Sequence, residues 1–543
     1  MCNHQYLIKL FKTLYTVLAL VLLVPVSYAA TDLADRPLFS GSTVPGNVAI
    51  AISAEFPTPL GSAYTGSYNN ATDYIGYFDF KKCYTYHSDA NVELRYFQPV
   101  TGVVTLNHQC NAQWSGNFLN YALTQTIDPF RKALTGGYRS VDTADTTVLE
   151  KAYASGQGGG VNTPTIGANA NLYTPFPWAS LSVRISGLGK TFRITGNGDL
   201  NSAGVEINGL MPVNPPTNNV YFLYARANVC VIGQLEDNCT QYGANYKPTG
   251  LIQKNSAKLN FAALGYLNDS SNNPQRDGAV LRAAMGQVGP LQTNPNAVST
   301  ANPKAEWDAN TGIFNINPDP NAANASGVTN SGVINYLNKF GLAAQSFKTY
   351  DPVSELYYTA SRYYRNKGNV ASYTNNLNAG RIDGFPVITN WDDPVKYSCQ
   401  ANFIIGIGDT NSWNDGNLPG SIQRNGEPAI PPEVNADLGN GDMSPAATQI
   451  VNNLNVTTAT DRVGAIQGIG NTLTTNYTGA SGATYLMAGM AYDLHTRDMR
   501  PDFTGKQTVS LIISTFGHIL TKETSGIQLP ASSLLSDFCF GIY

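Results

Sequence analysis

ANFIIGIGDTNSWND, residues 401–415, is the stretch whose pattern decides the fold. Residues 403–407 form a short apolar run, which is typical of a strand buried on both faces of a parallel sheet. The polar Asp409, Thr410 and Asn411 follow directly, so we expect them at the carboxyl end of that strand. Ligands of open α/β sheets bind at this edge. The alternative is an ordinary core strand followed by a loop, and this stretch alone leaves the choice open.

Three more apolar runs predict strands of the same kind, and helical patterns lie between them. The runs are NVAIAI at residues 47–52, LNFAALGY at 259–266 and TVSLIISTF at 508–516. Helices are predicted at residues 114–134, 251–258, 277–285, 353–364 and 484–494. This alternation indicates an α/β sheet. Other segments interrupt it: hairpins at 60–113, β-rich residues 155–250 with strands at 181–185, 191–195 and 220–231, and loops at 290–332 and 411–480.

Prolines and glycines refine these predictions. Pro129 lies inside the 114–134 pattern and predicts a kink or a break there. Asp351 and Pro352 suit the start of the helix at 353–364, because Asp is a good N-cap and Pro fits the first helical position. GLGKT at residues 187–191 imitates part of a phosphate-binding loop, but Arg184 replaces the first glycine of that motif. We therefore expect a hairpin turn at GLGKT.

The first 29 residues have the anatomy of a secretory signal. Lys9 and Lys12 give a positive end, residues 14–26 are apolar, and Ser27 and Ala29 are small, so we expect cleavage after Ala29. A membrane anchor is the alternative, although the apolar run is short for a spanning helix. No later stretch is long and apolar enough to span, so the mature chain is expected to be exported without a transmembrane segment.

The charge balance excludes one class of partner. Removal of the signal leaves 31 of the 33 basic residues against 37 acidic ones, a net charge of −6. No run of Lys and Arg and no basic stripe occurs in the chain. Nucleic-acid binding is therefore not expected.

Six cysteines remain after Cys2 leaves with the signal, and export permits their oxidation. Cys230 and Cys239 bracket one short loop, and Cys83 and Cys110 flank a predicted hairpin, so we expect two disulfides. Cys399 and Cys539 either bond to each other or stay free. Zinc is not expected, because no CxxC occurs and the histidines are scattered.

Several long motifs resemble the PilC/PilY family of type IV pilus tip proteins. They are WSGNFLNYALTQTIDPFRKALTGG at 114–137, DTADTTVLEKAY at 142–153, DGAVLRAAMGQVGP at 277–290, EWDANTGIFNINPDP at 306–320, YDPVSELYYTASRYY at 350–364 and DMRPDFTGKQTV at 498–509. The similarity runs from about residue 36 to 517. It implies a von Willebrand factor A-like, Rossmann-like α/β sheet with large insertions, and roles in pilus assembly, surface adhesion and twitching motility.

The resemblance also gives domain boundaries. We predict a signal peptide at 1–29, a polar leader at 30–45, the start of the A-like domain with a hairpin insertion at 46–154, a β-rich insertion at 155–250, the A-like core at 251–410, a loop-rich insertion at 411–480, the last helix and strand at 481–520, and a tail at 521–543. Family members normally continue into a β-propeller with a calcium loop. Because this chain ends at Tyr543, we expect no propeller in it.

A-type domains often bind a divalent cation through a DxSxS loop, a Thr and a later Asp, and this motif is broken here. Ser53 stands at the first Asp position, Glu55 and Pro57 at the two Ser positions, and Asp351 near the Thr position; only Asp409 is kept. Glu55, Asp351 and Asp409 remain as ligands for a rearranged site. Alternatively, Asp351 only caps a helix and Asp409 only lies in a loop. Calcium tolerates irregular oxygen cages, so we expect weak calcium binding at most and no other cofactor.

Enzyme signatures such as HExxH and GxSxG are absent from the sequence, so no catalytic role is expected. Two non-enzymatic roles compete. One is an adhesin that contacts host-cell or abiotic surface ligands; the other is a structural factor that primes pili by contacting minor pilins. A truncated, non-functional paralogue is a further alternative. In each case the expected location is the cell surface, the pilus tip or the outer membrane.

Overall fold

The computed structural model describes residues 44–100, 107–158, 164–208, 211–269, 276–293, 299–409, 412–422, 428–439, 441–444, 453–475 and 482–516, with the side chains of residues 409, 515 and 516 left out. The predicted signal peptide, most of the polar leader, Cys539 and the predicted tail lie outside these ranges. No helix within them has the length and apolarity needed to cross a membrane.

The described residues contain twenty strands and twelve α-helices. The strands are β1 (Gly46–Ile52), β2 (Cys83–His87), β3 (Tyr96–Val100), β4 (Trp114–Ser115), β5 (Arg139–Asp142), β6 (Thr147–Glu150), β7 (Thr165–Ile166), β8 (Leu181–Arg184), β9 (Thr191–Thr195), β10 (Val205–Glu206), β11 (Val220–Tyr224), β12 (Arg226–Val229), β13 (Cys239–Tyr242), β14 (Asn245–Pro248), β15 (Leu259–Gly265), β16 (Val280–Gly286), β17 (Leu291–Gln292), β18 (Thr300–Ala301), β19 (Asn402–Asp409) and β20 (Val509–Phe516). The helices are α1 (Pro57–Leu60), α2 (Gly116–Leu123), α3 (Ile127–Thr135), α4 (Leu251–Asn255), α5 (Pro320–Ala325), α6 (Val333–Lys339), α7 (Val353–Tyr364), α8 (Ala379–Ile382), α9 (Pro432–Asn435), α10 (Val456–Ile466), α11 (Thr472–Thr475) and α12 (Leu486–Thr496).

A five-stranded sheet in the order β16-β15-β1-β19-β20 forms the centre of the fold. β1 runs parallel to both of its neighbours, β15 and β19, and β19 runs parallel to β20. β16 alone is antiparallel, and it closes one edge of this sheet against β15. The four runs that predicted buried strands are therefore the four parallel strands. The fold is α/β, as the alternation of elements indicated.

Helices cover both faces of this central sheet. Val48, Ile50 and Ile52 of β1 point into an apolar cluster with α6. Ala49 and Ala51 point the other way, into a cluster with α7 and α12. Because both faces of β1 meet apolar partners, all seven of its residues are buried, which explains why its sequence is apolar without alternation.

The β-rich segments form two further sheets that share one aromatic core. A six-stranded sheet has the order β4-β2-β3-β12-β6-β5, and a five-stranded sheet has the order β10-β11-β9-β8-β7. Phe97, Trp114 and Phe192 pack together between them. The predicted strand at 220–231 is two strands, β11 and β12, because the chain passes at Ala225 from one sheet to the other. β8 and β9 form the hairpin expected around GLGKT, with Gly187 and Gly189 at positive φ.

Several local predictions were wrong or misplaced. Residues 277–285, predicted as a helix, contain strand β16, because an apolar run of this length fits either state and β15 offers a partner. The break in the 114–134 helix falls at Thr124, whose backbone is extended, and not at Pro129. Pro129 lies in the first turn of α3, where a missing N–H is tolerated. Helices α9, α10 and α11 lie in the 411–480 segment, which was predicted to be loop-rich, and α5 lies in the predicted loop at 290–332.

Two disulfides link the cysteines that were expected to pair. Cys83 joins Cys110 with Cα atoms 5.7 Å apart, and Cys230 joins Cys239 with Cα atoms 5.6 Å apart. Cys399 carries a free thiol and is exposed. The first disulfide ties the segment before α2 to β2, and the second closes the loop that follows β12.

The central sheet needs glycine where helix tyrosines rest on it. A Cβ added to Gly406 of β19 would lie 2.4 Å from Oη of Tyr357, on α7. We predict that Gly406→Ala lowers the free energy of unfolding by about 1–3 kcal/mol, because the overpacked ring has to move. Thermal unfolding followed by circular dichroism measures the change.

Gly286→Ala is the matched control, because a Cβ at that strand glycine meets nothing within 4 Å. In the Gly406→Ala background, Tyr357→Leu should recover part of the loss by removing the ring. Equal melting temperatures for Gly406→Ala and Gly286→Ala would show that the sheet and α7 do not pack as described.

Candidate functional site

The carboxyl ends of β1, β15 and β19 meet at one edge of the central sheet, where a set of buried polar side chains gathers. Ser53 follows β1 directly, and Tyr266 follows β15. Both are buried, as are Glu55 and Asp351, which lie in the loops that leave this edge. Sequence reasoning singled out Ser53, Glu55 and Asp351 for this position.

Glu55 joins two loops of the edge. Its Oε1 accepts hydrogen bonds from the backbone N–H of Thr58, at 3.1 Å, and from the Thr58 hydroxyl, so it caps the first turn of α1. The backbone at Glu55 pairs with Lys348 in a parallel bridge, and the N–H of Phe56 donates to the Lys348 carbonyl at 2.9 Å. The loop after β1 is thus fixed to the segment that precedes α7.

Asp351 does not cap α7 with its side chain, contrary to one of the two interpretations of the sequence. Pro352 occupies the N-cap position, and its side chain makes no capping hydrogen bond. The carboxylate that does so comes from a different loop. Oδ1 of Asp415 accepts the N–H of Ser354 at 2.6 Å, and its Oδ2 accepts hydroxyls from Ser354, Ser412 and Thr484 at 2.7–3.0 Å.

Three further buried acids lie beside these residues, and sequence reasoning missed them. They are Asp277, Glu355 and Asp415. Asn417 connects two of them: its N–H donates to Oε1 of Glu355 at 2.7 Å, and its Nδ2 donates to Oδ2 of Asp277 at 2.5 Å. We call Glu55, Asp277, Asp351, Glu355 and Asp415 the acidic cluster. Asp415 was within reach of prediction, because it ends the stretch 401–415 that identified the sheet edge.

Burial and like charge shift the pKa values in the acidic cluster. Burial raises the pKa of Glu355 well above its usual value, and the charges of Asp415 and Asp277 raise it further. The pKa of Asp415 is raised to about 6 by burial, against the hydrogen bonds from Ser354 and Thr484. Burial also raises the pKa of Tyr266, with a contribution from the charge of Asp351. The carboxyl groups are therefore close enough to repel one another.

Lys348 brings a positive charge to this edge. Burial lowers the pKa of its ammonium group to about 8, while Asp277 and Asp351 act to raise it. Its Nζ lies 5.4 Å from the centre of the Tyr266 ring. Nothing in the sequence marked this lysine, because its role depends on acids that come from distant segments.

The donor atoms at this edge are carboxylate and hydroxyl oxygens, which are the ligands that hard cations prefer. Glu55 and Asp351 both act electrostatically on Tyr266, so the structure places these two predicted ligands in one neighbourhood. Asp409 ends β19 at the same edge, but its side chain lies outside the described part of the chain. The donors are of the type that calcium accepts, but among the described residues no three carboxylates of this edge lie within 4.8 Å of one another.

Two other groups of polar side chains have structural explanations. In the described ranges, one set of three acid, His or Cys ligand atoms comes within 4.8 Å of one another, at Cys230, Glu236 and Cys239. The disulfide between its cysteines removes the thiolates that a metal needs. An open cleft of about 160 Å³ lies along β16, but Glu306 in it caps α6 through two N–H groups, and Lys304 pairs with Asp319.

Comparison with known proteins shows what the chain is similar to. Residues 65–205 match the family model described as "PilY1 homolog, small alpha/beta domain". Two proteins of Xylella fastidiosa strain Temecula1, each described as a type IV pilus biogenesis factor PilY1 homolog, are similar in sequence. The first is 39% identical over 93% of this chain and 44% of its own length. The second is 37% identical over 17% of this chain and 7% of its own length.

The resemblance to the PilC/PilY family that the motifs indicated is thereby confirmed. The chain spans less than half the length of the curated relatives it matches. No solved structure matches it significantly.

Asp415 holds the start of α7 and the loop at 412–417 together. We predict that Asp415→Ala lowers the free energy of unfolding by about 2–4 kcal/mol, since it removes a helix cap and leaves buried donors without an acceptor. Relief of repulsion with Glu355 offsets little, because burial already favours the protonated form of that carboxyl. Hydrogen exchange at the Ser354 amide should accelerate. Asp237→Ala, at an exposed position, is the control and should change stability by less than about 0.5 kcal/mol; an equal effect of the two variants would contradict the capping role.

Proposed function

We propose, from the similarity of this chain to a type IV pilus biogenesis factor, that it acts without catalysis in the assembly of type IV pili at the cell surface. The observation that carries the proposal is the 39% identity over 93% of the chain. The predicted secretory signal is consistent with a protein that works outside the cytoplasm. Minor pilins at the pilus tip are the proposed partners, and nucleic acid is not among them.

A von Willebrand A-like core is part of this proposal. Four parallel strands, one antiparallel edge strand and helices on both faces support it. In such a domain, the edge formed by the carboxyl ends of the strands is the binding edge. The β-rich sheets and the 411–480 segment are then insertions into the core.

Surface adhesion and twitching motility form the second proposed role, and one observation favours it. Trp413 is 37% exposed and its ring lies 5.3 Å from that of Tyr350, beside the sheet edge. Exposed aromatic side chains are frequent at binding hot spots. Tyr397, at 43%, is the most exposed of the described tyrosines. Most of the described tyrosines therefore serve as packing. Host-cell or abiotic surface ligands would meet the edge at Trp413.

Calcium is the proposed cofactor, bound weakly by Glu55, Asp351 and Asp409. An ion there would supply positive charge between the loop after β1, the segment before α7 and the end of β19. Glu55 is held there by its hydrogen bond from Thr58 and by the backbone bridge to Lys348, which lies three residues before Asp351. Their role is to bind and orient, and no proton or bond is transferred.

A strain that lacks the coding sequence of this chain tests the proposed function. We expect loss of surface pili, because an assembly factor is required before filaments extend. Electron microscopy and recovery of sheared pili measure it, and a restored copy of the gene is the control. Normal pili with poor attachment would favour the adhesin role, and normal pili with normal attachment would contradict both.

The proposed calcium site has its own test. Saturating calcium should raise the melting temperature of the protein, since a ligand that binds only the folded state stabilises it by about 2.7 kcal/mol at about 100 times its dissociation constant. Asp409→Ala should abolish this gain, and Asp237→Ala should keep it. An equal response in wild type and Asp409→Ala would place the ion elsewhere; no response in wild type would contradict calcium binding.

A further inference from the structure

The loop that follows β12 is closed by the Cys230–Cys239 disulfide and holds apolar side chains in solvent. Its residues 231–238 read VIGQLEDN, and we call residues 230–239 the disulfide loop. Ile232 is 68% exposed and Leu235 is 39% exposed. Single apolar residues are common on protein surfaces, so exposure alone does not mark an interface. This loop differs because its backbone is held in one conformation.

A type II turn places Ile232 at the tip of the disulfide loop. The N–H of Gln234 donates to the carbonyl of Val231 at 2.9 Å, so Ile232 and Gly233 are the two central residues of a β-turn. Gly233 has a φ of 85°, and a type II turn requires a positive φ at this position. The turn itself therefore directs Ile232 outward.

An ion pair braces the base of the loop. The Glu236 carboxylate accepts the N–H of Cys230 at 2.7 Å and pairs with Nζ of Lys82 at 2.5 Å. The same Nζ donates to the Gln234 carbonyl at 2.5 Å and pairs with Asp79 at 3.3 Å. With the disulfide, these contacts order the loop before a partner arrives. Binding then loses little free energy in ordering it.

The charges of the disulfide loop define the kind of surface that fits it. Residues 231–238 contain two acids, Glu236 and Asp237, and no Lys or Arg. Lys82 balances Glu236, whereas Asp237 is exposed. The loop thus presents two aliphatic side chains and one negative charge. The complementary surface is an apolar pocket with a basic group at its rim.

We propose that the disulfide loop docks into an apolar, basic-rimmed pocket of a minor pilin, with Ile232 as its central anchor. This inference rests on the proposed function in pilus assembly and names the surface through which the chain meets its partner. Ile232 and Leu235 fill the pocket, and Asp237 meets the basic rim. A few side chains at the centre of an interface carry most of its binding energy.

Biolayer interferometry tests the docking, with the full chain and the purified soluble domains of the minor pilins from the same organism. Wild type should bind at least one of them. Ile232→Ala should weaken that complex by about tenfold, because the anchor is lost. Ile232→Asp should weaken it by about 100-fold or more, because a charge enters an apolar pocket. Asp237→Lys should weaken it by about threefold or more, because like charges meet at the rim.

Val213→Asp is the matched control for a new charge at an exposed aliphatic position. Val213 is 91% exposed in the segment between β10 and β11. This variant should bind the minor pilin as wild type does. Both Asp variants should melt with the wild type, since neither side chain is buried. Equal binding by wild type and Ile232→Asp overturns the inference, and so does a wild type that binds no minor pilin.

Complementation separates the inference from the proposed function. In a strain without the coding sequence of this chain, wild type and Val213→Asp should restore surface pili, and Ile232→Asp should not. Restoration by Ile232→Asp, in a strain that loses its pili on deletion, overturns the docking role and leaves the proposed function standing. Normal pili in the deletion strain overturn both. A dimer of this chain in analytical ultracentrifugation that Ile232→Asp dissociates would assign the loop to self-association and overturn the inference.

Discussion

Burial of β1 on both faces is the constraint on which the rest of the structure depends. All seven of its residues are inaccessible, with parallel partners on both sides and helices above and below. A parallel sheet requires long connections between its strands. This chain places its β-rich sheets between β1 and β15, and the 411–480 segment between β19 and β20. The helices approach closely because the sheet offers glycine where their rings rest, at Gly265 beneath Tyr336 and at Gly406 beneath Tyr357.

The same constraint concentrates charge at one edge. Because the parallel strands all end there, the loops that leave them bring their polar residues to a common place, and those residues are buried. Carboxylates buried in this way are stable only when hydrogen bonds or positive charge balance them. Asp415 is balanced by three hydroxyls and a backbone N–H, Glu55 by Thr58, and Glu355 and Asp277 by Asn417.

The sequence predicted the central sheet well because its signal is local. Each of the four parallel strands lies within one or two residues of its predicted limits, since an apolar run between polar loops needs no knowledge of its partners. β16 was predicted as a helix because its state depends on β15, and α10 was missed in a segment that reads as loop. The candidate site shows the same difference between signals that are local in sequence and those that depend on distant partners. Glu55 and Asp351 follow from alignment with a motif, whereas Asp277, Glu355 and Lys348 gain their meaning only from residues distant in sequence.

Two acids of the acidic cluster lie where the two long connections leave the central sheet. Glu55 lies at the start of the connection that carries the β-rich sheets, and Asp415 lies at the start of the 412–475 region with α10. Each is bound to the α7 side of the core, Glu55 through the backbone at Lys348 and Asp415 through Ser354. Polar contacts at these junctions depend on charge more than apolar contacts do. The charge balance at the sheet edge therefore bears on how both long connections are held to the central sheet.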